Sequence, residues 1–180
     1  MQWRLNSALL SRSIRRLRRS RGGTWTARLC ARASTLATRI RFGILEDEPI
    51  WLTSEDVAEI HDEQLELHGG LPGYKDPGLV ESAVNNPIMS YMYGEQRDIL
   101  ALAIRLCFAI VKNHGFNDGN KRTAAFAMIE FLAINGYDLF VPDDEPETPL
   151  LGQWVERLAA GAYDEYQMYD RLEHFLQLAD

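Results

Sequence analysis

One run of residues, His114-Gly115-Phe116-Asn117-Asp118-Gly119-Asn120-Lys121-Arg122, holds most of what this chain can offer to chemistry. An imidazole exchanges protons near neutral pH, so His114 could take one from an attacking hydroxyl. The Asp118 carboxylate would be repelled by a bare phosphate unless a divalent cation lay between them. A carboxylate plus phosphate oxygens is the usual coordination set of Mg²⁺. Gly119 allows positive φ or a close backbone approach, and a helix opening after it presents unpaired N–H groups to an anion. Asn120, Lys121 and Arg122 would occupy its first turn, where the helix dipole disfavours cations by about 0.3–1 kcal/mol. Two adjacent cations at that end imply an anionic guest such as a phosphate, with Lys as a mobile point charge and Arg as a planar fork.

Each residue alone has a plainer reading. A lone His at a helix end is a cap, Asp-Gly is an ordinary turn, and Lys-Arg is a solvated pair. Phe116 is a buried anchor on either view. The spacing of Gly115 and Gly119 fails the G-x-x-x-x-G-K-[ST] pattern, which excludes a P-loop. Only the combination carries weight.

The surrounding pattern is helical. Thr53-Ser54-Glu55-Asp56 pairs a hydroxyl cap with an acid three residues on, and Val57, Ile60, His61 and Leu65 follow at helical spacing, predicting a helix over 54–68 closed by Gly69-Gly70. Asp76-Pro77 opens a helix over 77–85, which Asn85-Asn86-Pro87 is expected to stop. Residues 96–112 carry a wide apolar stripe that includes Cys107 as a small hydrophobe. A second apolar helix spans 120–134 and ends at the Asn135-Gly136 cap. The chemical segment is therefore held between two core helices. Further helices are expected over 149–160 and 164–178, with an acidic loop at 142–149 before them and strand signals only at 137–141 and 71–74, the latter as loop or short hairpin. The expected fold class is mainly α, one compact helical bundle with a short hairpin flap.

The chain has 180 residues and a net charge of -7, but the charge is split. Of 19 basic residues, eleven are arginines within 1–45, a stretch with no acid, so eight basic side chains face all 26 acidic ones beyond it, a balance of -18. The Arg-rich 1–45 segment reads as a transit-type peptide, as an arm for nucleic acid or anionic membrane, or as an extension upstream of the true start. It is expected to be disordered or outside the native domain, which spans 50–178. The acidic domain itself is not expected to bind nucleic acid directly. No apolar run approaches the length of a membrane span. Cys30 and Cys107 lack metal or disulfide-framework spacing, and His61 and His68 share a helix face without a third ligand. A cytoplasmic setting is expected.

The motif resembles the signature of the Fic/Doc superfamily, H-x-F-x-[DE]-[GA]-N-x-R, and Asn120-Lys121-Arg122-Thr123-Ala124 is similar to its death-on-curing (Doc) branch. The likeness runs from Trp51-Leu52-Thr53 through Ile60-His61, Gly69-Gly70, Asp76-x-Gly78-Leu79-x-Glu81-Ser82-Ala83 and Asn135-Gly136 to the last helices. The resemblance implies a helical fold in which the motif joins two central helices. It also implies His114 as general base, Phe116 as anchor, Asp118 as Mg²⁺ ligand, Gly119 and Asn120 as an anion-binding turn, Arg122 as a phosphate clamp and residues 71–74 as a flap beside the substrate; Lys121 joins them as a phosphate contact from its charge and position alone. ATP would be the co-substrate. AMP-transferring relatives carry H-x-F-x-x-G-N-G-R-x-x-R, whereas here Lys121 replaces the second glycine and Ala125 the second arginine. Both changes favour a reversed nucleotide that presents its γ-phosphorus. Doc-like enzymes are toxins that phosphorylate elongation factor Tu, arresting translation, and are held off by an antitoxin; both proteins are thus expected partners. Lys75 departs from the Arg common before the Asp. AMP transfer to a protein hydroxyl and a catalytically silent nucleotide-binding module are the alternatives.

Overall fold

The computed structural model describes residues 48–142 and 149–179; the Arg-rich 1–45 segment and most of the acidic loop lie outside them. Six α-helices and one two-stranded sheet make up the described residues, so the fold is mainly helical as the sequence predicts. α1 (Ser54–His68) opens with the expected capping box: Asp56 N–H donates to Thr53 Oγ1, and Thr53 N–H donates back to Asp56 Oδ2 at 2.8 Å. α2 (Pro77–Tyr93) starts on Asp76, whose Oδ1 accepts from Gly78 N–H. This helix does not stop at Asn86. It runs through Pro87, which removes a backbone donor and costs about 3 kcal/mol in a helix interior. Packing beyond the proline offsets that cost: Pro87 is buried, and the Tyr91 ring meets Trp51 edge-on at 5.6 Å and carries the Arg97 guanidinium at 4.0 Å.

The centre of the molecule is the pair α3 (Ile99–Asn113) and α4 (Asn120–Ile134). Asp98 caps α3 by accepting from Ala101 N–H, which moves the start three residues past the apolar pattern's first position. Leu100, Leu102, Leu106 and Ile110 bury nearly the whole circumference of α3, as expected of a helix surrounded by others. Cys107 is one of them, fully buried, and burial pushes its thiol up to about 12, so it packs as a hydrophobe. Ala124, Ala127, Met128, Phe131 and Leu132 do the same on α4.

After Gly136, at positive φ, β1 (Tyr137–Leu139) pairs antiparallel with β2 (Leu176–Leu178) in the register Tyr137↔Leu178. α5 (Leu150–Ala160) and α6 (Glu165–Leu172) close the bundle. The single helix expected over 164–178 ends at Leu172, passes through a 3-10 turn at Glu173–Phe175 and becomes β2. Local pattern favours helix there, but β1 needs partners for its backbone groups, and Phe140 N–H to Phe175 O and Ala179 N–H to Gly136 O extend that pairing. Residues 71–74 form an exposed loop rather than a hairpin. One bridge, Tyr74 to Phe116, fixes it, and Pro72 and positive-φ Gly70 and Gly73 leave no strand to pair. No described helix is long and apolar enough to cross a membrane.

Candidate active site

The six-residue interval between α3 and α4 is built as a closed loop. α3 ends on His114, which holds left-handed geometry (φ 55°, ψ 46°) and donates its N–H to Ile110 O. A non-glycine residue there is uncommon and turns the chain abruptly. Gly119 makes the second left-handed turn at φ 72°, and α4 starts at once with no side chain capping it. Its first-turn amides thus face outward without a built-in acceptor.

Asn120 holds the loop shut. Its Oδ1 accepts from Phe116 N–H at 3.0 Å, and its Nδ2 donates to Phe116 O at 2.9 Å. These two bonds fix the carboxamide's orientation, and the remaining Nδ2 hydrogen faces His114 Nδ1 at 3.2 Å. Nδ1 is therefore an acceptor, and the proton of the neutral ring sits on Nε2. The exposed imidazole must turn away from Asn120 before its free nitrogen can meet a substrate hydroxyl. Phe116, 1% exposed, anchors the loop between the His61 ring, stacked at 3.9 Å, and the Tyr74 ring at 5.2 Å.

Half-buried Asp118 turns its Oδ1 onto Gly119 N–H at 2.6 Å, while its Oδ2 has no hydrogen bond among the described residues. Gly70 lies against that oxygen: a Cβ at residue 70 would stand 2.9 Å from Asp118 Oδ2 and 3.3 Å from Arg122 Nη2. Carboxylate and guanidinium therefore flank one backbone segment. Arg122 is 5% exposed and ties down the end of α1, with Nη2 donating to Gly69 O at 2.9 Å and Nη1 to Gln64 O at 3.4 Å. It has donors left over. Its charge and burial together hold the half-buried His68 below the usual imidazole range, burial being the larger cause.

Lys121 is not gathered with them. Its exposed Nζ reaches Glu156 of α5 at 3.4 Å, and Lys112 donates to Ala159 O near the end of that helix. Arg122 serves the carbonyl end of α1 and Lys121 a carboxylate, so each cation at this helix end also has a protein partner.

Four contributors escaped the sequence reading. Gly115 O accepts from Lys75 N–H and Asp76 N–H, and Asn117 returns the contact through N–H to Gly73 O and Nδ2 to Pro72 O, so the 70–76 loop is stitched to the motif. A Cβ at residue 115 would meet Val80 Cγ2 at 2.6 Å, which explains that glycine. Gly70 had a signal, a second glycine where one closes a helix. His61 is the fourth, buried against Phe116 with Nε2 3.1 Å from Asp118 O. Asn117 carried no signal.

Among the described residues no three His, Cys, Asp or Glu side chains surround a common point, so a bare divalent ion has no cage. One carboxylate with an unengaged oxygen beside an uncapped helix end fits a metal that arrives with a nucleotide, whose phosphate oxygens and waters complete its shell.

The two central helices of the bundle are joined by His114-x-Phe116-x-Asp118-Gly119-Asn120-x-Arg122, and residues 51–132 match the model of the Fic/DOC family. The chain is 34% identical over 96 residues to Protein kinase doc of Escherichia phage P1, an alignment covering 53% of this chain and 74% of that relative. The chain belongs to the Fic/DOC family.

Proposed function

We propose that this protein is a Doc-type kinase that transfers the γ-phosphoryl group of Mg²⁺-ATP to a Ser or Thr hydroxyl of another protein, acting in the cytoplasm as the toxin of a toxin-antitoxin pair. Elongation factor Tu is the proposed target and a small antitoxin the proposed inhibitor. The observation that carries the reading is the Asn120 carboxamide, which binds His114 and Phe116 together into one loop that ends, beside Asp118, on an uncapped helix. Similarity to a relative named as a protein kinase supports the choice of transferred group. Ala125 supports it too: it is 1% exposed in the core, so no guanidinium stands there to hold the far phosphates in the AMP-transferring pose.

In the proposed step the substrate oxygen attacks the γ-phosphorus, the bond to the β–γ bridging oxygen breaks, and the hydroxyl proton passes to the nitrogen of His114 that faces it once the ring has turned from Asn120. The amides of residues 120–122 and the spare donors of Arg122 neutralise the phosphate oxygens. Asp118 would hold Mg²⁺, which supplies charge neutralisation on the nucleotide. Incubating the protein and its target with ATP labelled at either the α- or the γ-phosphorus tests the reading. Label from γ alone is expected on the target; label from α would mean nucleotidyl transfer instead, and label from neither at saturating nucleotide would mean a silent binding module.

A further inference from the structure

His61 sits on α1, far from the motif in sequence, and its ring is 1% exposed. One face lies on Phe116, with ring centroids 3.9 Å apart and planes 8° from parallel. Its Nε2 stands 3.1 Å from the carbonyl oxygen of Asp118, and its Nδ1 stands 3.2 Å from Oδ1 of the exposed Asp62. Carbonyl and carboxylate both only accept; with its hydrogen on Nε2 the ring donates to Asp118 O. That carbonyl belongs to the planar peptide joining Asp118 to Gly119, in which C=O and N–H point opposite ways. Holding the oxygen toward α1 therefore aims Gly119 N–H back at the Asp118 side chain, where it fixes Oδ1 at 2.6 Å. Oδ2 is left without a hydrogen bond among the described residues and lies against the backbone of Gly70.

We infer that His61 is a positioning residue for the Asp118 carboxylate: through one peptide plane it engages Oδ1 and leaves Oδ2 for the metal that accompanies the nucleotide. This rests on the phosphotransferase reading above, and it assigns to a buried histidine outside the motif a part in metal-nucleotide binding. Stacking alone would not require nitrogen at that ring edge.

The test compares His61→Phe, which keeps ring and stacking but loses the donor, with His61→Gln, whose Nε2 can reach the same oxygen. Calorimetric titration uses the β,γ-imido analogue of ATP, once with Mg²⁺ and once with chelator. Loss of an outer partner of a metal ligand weakens binding by about 10- to 100-fold. That loss is expected for His61→Phe with Mg²⁺ only, with unchanged metal-free binding and recovery in His61→Gln. Equal affinities of wild type and His61→Phe in Mg²⁺, or equal losses with and without metal, would overturn the inference. If the wild type binds no Mg²⁺-nucleotide, the phosphotransferase reading fails first and this inference with it. Should His61→Phe not fold, ¹⁵N spectra of the wild-type imidazole decide: a proton on Nε2 of His61 supports the assignment, and a bare Nε2 refutes it.

Discussion

His114→Asn is expected to lower protein phosphorylation by about 10²- to 10⁴-fold, the contribution typical of a positioned general base, while the fold stays intact. Asparagine is the right probe because residue 114 sits at φ 55°, a conformation that asparagine tolerates better than alanine. Its side chain is short enough to leave the Phe116–Asn120 closure untouched. Asp118→Asn should lose transfer as well, since its Oδ1 can still accept from Gly119 N–H but the charge that would hold Mg²⁺ is gone. Thermal unfolding of both variants should track the wild type, and transfer is measured from γ-labelled ATP. Full transfer by either variant would refute the role given to that residue.

The second large effect concerns stability. Glu130 of α4 is 2% exposed, and its Oε1 has no hydrogen-bond partner among the described residues. Burial, followed by the nearby charges of Glu63 and Asp56, pushes its carboxyl up to about 7. An unfolded chain releases that proton at an ordinary carboxyl value, so between there and about pH 7 the folded state binds a proton that the unfolded state has lost. The stabilisation is complete below the unfolded value, declines as pH rises and is gone above the folded one. Glu130→Gln keeps the group neutral throughout and should be more stable than the wild type at pH 8, by on the order of 3 kcal/mol, and nearly equal at pH 4.5. Urea denaturation at the two pH values measures this; equal pH dependence in the two proteins would contradict it.

The parts of this molecule that were legible in the chain are those fixed locally. Thr53, Asp76 and the Asn135-Gly136 pair mark helix ends because a cap is a matter of adjacent residues, and all three serve as caps. The loop between α3 and α4 could be placed because both neighbours are apolar enough to be core. What misled was decided by distant partners. Pro87 should stop a helix, but Tyr91 and Trp51 hold its continuation in place. Leu176 to Leu178 reads as the end of a helix until Tyr137 supplies a strand to pair with.

The site divides along the same line. Gly119 behaves as its conformational freedom suggests, and Asn120 gains a role that spacing alone did not reveal, that of tying His114 to Phe116. Lys121 and Arg122 were grouped by adjacency, yet one reaches α5 and the other α1, because neighbours on a helix point about 100° apart. His61 and Asn117 join the site only through folding, the first from α1 and the second through carbonyls of the 70–76 loop.

The most direct test of the central claim, that the loop and the start of α4 hold a metal-bound nucleotide beside His114, is an amide NMR titration with Mg²⁺ and the imido analogue of ATP. The account predicts that the amides of Gly119, Asn120, Lys121 and Arg122 shift together with the His114 ring, and that Asp118→Asn removes the Mg²⁺-dependent part of the shift. Shifts confined to other surfaces, or none in this segment at saturating nucleotide, would contradict it.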